Sequence, residues 1–94
     1  MAYYIYILSD KKRESFHIGI TGDLLRGVFE YRKRTAGENS INTQIHDLVY
    51  YEKINDVKEA TERELKIRHW RTSWIQSLVD DFNPNWKDLY NEII

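Results

Sequence analysis

The sequence predicts an α+β protein built on a small three-stranded antiparallel sheet, and three observations predict it. Two aromatic- and β-branched-rich runs, Tyr3 to Leu8 and Phe16 to Thr21, flank the charged segment Ser9 to Ser15, which is the pattern of a hairpin. A third run of the same character follows at Leu48 to Lys53. Around these runs apolar residues recur at helical spacing, and the order β-β-α-β-α-α contains no βαβ crossover pattern.

Within the hairpin, period-two alternation puts Ile5 and Ile7 on one face and Tyr4 and Tyr6 on the other, with Ile18 and Ile20 opposed to His17 and Gly19. One face is aliphatic. The other is phenolic and imidazole, which core formation alone does not require. Asp23 suits the N-cap of a helix reaching Arg34, with Leu24, Leu25, Val28 and Phe29 as its apolar stripe. Arg32-Lys33-Arg34 at its end complements the negative pole of the helix. Thr35 to Thr43, holding Ala36-Gly37 and Asn39-Ser40, reads as a mobile loop. In the third strand Val49 and Tyr51 alternate with Leu48 and Tyr50. Asp56, with Glu59 three residues on, marks a second helix running to Arg71, and a further helical stretch covers Thr72 to Asp81. Pro84 suits the first turn of a last short helix, Asn85 to Glu92.

Ninety-four residues, 41% of them apolar and 14% aromatic, suffice for a single domain over 1–94 with its own core. The absence of cysteine excludes disulfides and thiolate metal sites. With no apolar run of about eighteen residues and no signal-like start, the expectation is a cytoplasmic protein without a membrane partner. A net charge of −1 speaks against a generic basic nucleic-acid binder. The charge is unevenly spread, however: cations crowd the first third and Arg63 to Arg71, while acids crowd the tail. Solvated helix faces account for most of these cations, and one basic side for a polyanion stays open.

Glu64 is the odd residue of the second helix. It shares a face with Ala60, Ile67, Trp70, Arg71 and Trp74, so a carboxylate stands on the stripe that should pack inward. Burying an unpaired carboxylate costs several kcal/mol or forces its neutralisation, so the position calls for a partner. An ion pair with Arg68 or Arg71 and a bound metal are equal readings of the spacing alone. Trp70, Trp74 and Trp86 read as core more than as base-stacking platforms, and His46 and His69 as surface or capping residues.

Tyr4-Ile5-Tyr6, followed after ten residues by His17-Ile18-Gly19, resembles the paired motif of the GIY-YIG nuclease domain in its short, single-domain, excinuclease-like form. The likeness continues through Thr21-Gly22-Asp23-Leu24, Leu48-Val49-Tyr50-Tyr51-Glu52, Ala60 with Arg63-Glu64, and Asn83-Pro84 with Trp86 and Asp88-Leu89. It implies an endonuclease that uses Mg²⁺ (or Mn²⁺) on DNA phosphodiesters, branched or single-stranded DNA among the partners. It further implies Glu64 as the metal ligand, Tyr6 as a tyrosine that helps deprotonate the attacking water, and a first-helix arginine that neutralises phosphate charge.

Three positions depart from that pattern. His17 replaces the second-motif tyrosine and leaves base chemistry open, and Tyr31 replaces a histidine. Gly27 stands where the catalytic arginine belongs. Arg26 lies about 100° round the helix from it and Arg34 about 10 Å along the axis, so neither is an obvious substitute and weak or lost activity is expected. The candidate catalytic residues are therefore Tyr6, His17, Tyr31 and Arg26, with Glu64 for metal and Arg32, Lys33, Arg34, Arg68 and Arg71 for nucleic acid. A non-catalytic nucleic-acid-binding module and a protein-interaction domain on the same fold are the competing functions.

Overall fold

The computed structural model of the chain describes residues 1–37 and 41–94. Its elements are β1 (Tyr3–Ser9), β2 (Phe16–Thr21), α1 (Leu24–Thr35), α2 (Ile41–Gln44), β3 (Asp47–Ile54), α3 (Val57–Arg68), α4 (Thr72–Phe82) and α5 (Tyr90–Ile93). The strands form one antiparallel sheet in the order β2-β1-β3, so the first strand is central, and the α+β expectation holds. The charged turn is pinned by Asp10, whose Oδ1 accepts from the backbone of Glu14 at 2.9 Å and of Ser15 at 3.2 Å.

Both faces of the sheet are buried, because helices cover both. Ile5 and Ile7 are fully buried with Val49, Tyr50, Ile67, Ile75 and Val79, in a core shared with α3 and α4. On the opposite face Tyr6 and Leu8 pack with Leu24, Val28 and Tyr31 of α1, with Tyr90 and Ile93 of α5 against them. The tyrosine face is thus also a core face. In β3 strict alternation fails: a bulge pairs Ile7 with Tyr50 but Leu8 with Leu48, so Val49 and Tyr50 both join the first core.

The helix starts follow the caps expected of them. Asp23 accepts from the Arg26 N–H at 3.1 Å and Asp56 from the Glu59 N–H at 3.0 Å. Other boundaries move. The buried stripe of α1 is Leu24, Val28, Tyr31 and Thr35, while Leu25 and Phe29 face solvent at 36% and 52% exposure. One ridge of this helix, narrower than the expected stripe, meets the sheet. Helix α3 ends at Arg68, where the His69 ring meets the Leu65 carbonyl at 2.8 Å, and α4 restarts after Arg71. That break cancels the helical register between Trp70 and Trp74, so Trp74 is 52% exposed while Trp70 stays against the core. Trp86 is buried, and its Nε1–H donates to Asp80 at 2.7 Å.

Where a loop was expected over Thr35 to Thr43, Thr35 completes α1 and α2 begins at Ile41; Asn39-Ser40 lie outside the described residues. The last helix is four residues, starting at Tyr90 and not at Asn85, because the Asn83 and Asp88 side chains hold the segment between in turns. Asp88 accepts from the Leu48 N–H at 3.0 Å and, through both carboxylate oxygens, from the Arg32 Nη2 at 2.8 and 2.9 Å, tying tail, β3 and α1 together. No helix among the described residues is long and apolar enough to cross a membrane.

Truncating Ile7 to alanine should cost about 2–5 kcal/mol of stability in urea denaturation, as expected for a fully buried aliphatic group. Phe29→Ala should change it by no more than about 0.5 kcal/mol, since half of that ring is already in water. A comparable loss at Phe29 would contradict the packing of α1.

Candidate active-site cleft

The cleft opens across the β2 edge of the sheet. Tyr6 on the central strand pairs with Gly19, and its ring crosses β2 there: a Cβ on residue 19 would lie 2.3 Å from the Tyr6 Cζ. Glycine is therefore required by the close approach of the phenol. His17, two residues back on the same face, stacks on Tyr31 with ring centroids 4.2 Å apart and tilts against Tyr6 at 5.7 Å. Tyr6, His17 and Tyr31 thus form one aromatic wall. At Gly27, α1 comes close to β2, where an added Cβ would stand 3.0 Å from the Thr21 Oγ1.

The opposite wall comes from α3. Glu64, only 5% exposed, lines the same cleft of about 370 Å³ as Tyr6, His17, Tyr31, Arg34 and Glu30, and Arg68 one turn on pairs with its Oε1. Both readings of Glu64 therefore meet in one place: it has its arginine, and it faces the phenols and imidazole. Arg68 is 57% exposed at its side chain, so it can leave the carboxylate without exposing the core.

Burial governs the titration of the wall. It drives the His17 imidazole down to about 4, with the positive charges of Arg34 and Arg68 adding to the effect. His17 is therefore neutral at pH 7, with a nitrogen lone pair able to accept a proton. Burial also raises the Tyr6 phenol above its usual range, against the opposing pull of Arg34. The phenol keeps its proton near neutrality and can donate a hydrogen bond.

Not every sequence candidate reaches the cleft. Arg26 is exposed, bonded to Glu30 at 2.9 Å, and is not among the lining residues. Arg32 is a tie within the fold: besides Asp88 it donates to the His46 carbonyl at 2.9 Å and covers the Tyr90 ring at 4.5 Å. Lys33 faces a groove with Phe29 and Tyr90, and Arg71 covers the Trp74 ring at 4.9 Å. Arg34, by contrast, does line the cleft. Distance along the axis hid this, because Gly27, Tyr31 and Arg34 share one helix face and side chains lean toward the helix N-terminus. Glu30 was missed altogether, although its place four residues before Arg34 and one before Tyr31 was the available signal.

A second acidic group, His46, Asp47 and Asp88, has ligand atoms within 4.8 Å of one another. Its oxygens are already engaged: Asp47 accepts from Lys11 at 2.6 Å, and Asp88 from Arg32, Leu48 and Tyr90. It is a knot of the fold.

A helix-flanked three-stranded antiparallel sheet, with a polar cleft of one buried acid, two phenols and an imidazole at its edge, is an α+β architecture. The family model described as the GIY-YIG catalytic domain matches residues 2–77, and the chain belongs to the GIY-YIG family of endonuclease-like domains. Among solved structures, it is similar to the solution structure of a UPF0213 protein from Bacillus halodurans. The TM-score is 0.59 at 22% identity, covering 94% of this chain and 93% of that one. Among curated proteins nothing matches.

Gly19→Ala should destabilise the protein by about 1–3 kcal/mol in urea, because Tyr6 must leave its rotamer or β2 must shift; an unchanged midpoint would contradict the ring crossing. His17 makes stability pH-dependent. Its folded pKa lies below the unfolded 6.5, so its contribution is whole above that value and is lost as pH falls from about 6.5 toward 4. His17→Gln should therefore flatten the fall in melting temperature between pH 7 and pH 4.5, and an equally steep fall in the variant would refute the burial of a neutral imidazole.

Proposed function

We propose that the chain cleaves DNA phosphodiesters in this cleft with a divalent cation, Mg²⁺ or Mn²⁺, branched and single-stranded DNA included among its substrates. The observation that carries this reading is the placement of buried Glu64 on the same cleft as Tyr6, His17 and Tyr31. The donor set fits a hard cation: one buried carboxylate, a second from Glu30 at the rim, and room for water and phosphate oxygens. Bound there, such a cation supplies Lewis-acid stabilisation of the attacked phosphate and the leaving oxygen.

The side chains divide the remaining work. His17, neutral at pH 7, accepts the proton of the attacking water, a role the family pattern gives to tyrosine. The Tyr6 phenol, held protonated by burial, donates a hydrogen bond to that water or to a phosphate oxygen. Tyr31 fixes the imidazole plane by stacking. Arg68 releases Glu64 and donates to a phosphate oxygen as DNA enters. Without an arginine at Gly27 the rate is low, since one lost transition-state donor is commonly worth about a hundredfold.

That same glycine favours the second reading, a nucleic-acid-binding module without catalysis. Nicking of plasmid and cleavage of branched or single-stranded oligonucleotides, with Mg²⁺ or Mn²⁺ against a chelator, separates the two. The expected result is slow, metal-dependent cutting that falls at least about a hundredfold in Glu64→Gln. Cutting that survives Glu64→Gln would refute the assignment, and salt-sensitive binding without cutting would establish the module. No salt-sensitive binding at all would leave a protein-interaction domain.

A further inference from the structure

The charges of the cleft are unevenly balanced. Glu64 holds Arg68, and Glu30 holds Arg26 outside. Arg34 lines the cleft as well, yet among the described residues no carboxylate pairs with it. Its guanidinium carbon stands 5.3 Å from the Tyr31 ring centroid, a cation–π seat that orients the group without consuming a hydrogen-bond donor. One turn and two turns back on the same helix face are Tyr31 and Gly27, and Gly27 puts no side chain in the way.

We propose that Arg34 binds the backbone phosphate of a nucleic acid in this cleft, supplying from the end of α1 the cation that Gly27 cannot. This rests on the phosphodiester reading of the cleft. A guanidinium presents paired donors that match two phosphate oxygens, and a phosphate arriving at Arg34 breaks no ion pair among the described residues, whereas at Arg68 it must first displace Glu64. The charge also reaches the chemistry: Arg34 is felt at both the Tyr6 phenol and the His17 ring.

Two probes without divalent metal test this: inorganic phosphate, followed by the Nε–Hε NMR signals of the arginines, and a short fluorescent DNA duplex, followed by anisotropy. Phosphate should shift the Arg34 signal more than that of Arg26. Arg34→Gln should weaken duplex binding about tenfold and lower the salt slope by about one, with Arg34→Lys recovering part and Arg26→Gln losing less. Phosphate at Arg34 in a protein that cuts no DNA would leave this inference standing while the hydrolase reading falls. Phosphate shifts confined to Arg68 or Lys33, no phosphate response, or duplex binding indifferent to Arg34→Gln would overturn it.

Discussion

The Tyr6 ring crosses β2 at Gly19, and the rest of the cleft is arranged around that contact. With any side chain at residue 19 the phenol would be pushed off the strand. Because it lies there, His17 two residues earlier has a ring on one side and Tyr31 on the other. The imidazole is partly buried by this packing, and desolvation is the main cause of its low pKa. A backbone requirement thus becomes a chemical property within one short chain of contacts.

The sheet carries two cores instead of one, and this is what brings α3 to the cleft. Ile5 and Ile7 hold α3 and α4 on one face, while Tyr6 and Leu8 hold α1 on the other. Since β2 is the edge strand, residues from both layers meet around it: Glu64 and Arg68 from α3, Tyr31 and Arg34 from α1. Buried polar groups need partners, and Glu64 has one in Arg68. An acid satisfied by an exposed arginine is stable at rest and can be uncovered.

Local features were legible in the sequence. The hairpin, the caps at Asp23 and Asp56 and the position of Glu64 on an inward face follow from period and turn chemistry within a few residues of each site. What escaped depends on neighbours far along the chain. The bulge at Val49 is set by pairing with Ile7 and Leu8, the exposure of Trp74 by a helix break at His69 to Arg71, and the tie at Arg32 by Asp88 in the tail. Arg34 lines the cleft for a different reason: axial rise alone sets it far from Gly27, but the shared helix face and the reach of a long side chain bring it there.

The central claim is that Glu64 and the aromatic wall of β1, β2 and α1 form one cation-ready cleft. Paramagnetic broadening by Mn²⁺ at substoichiometric concentration tests it most directly. Broadening should centre on the amides of Ile18, Gly19 and Thr21 and on the His17 ring, and should disappear in Glu64→Ala. Broadening centred on His46, Asp47 and Asp88, or unaffected by Glu64→Ala, would contradict it.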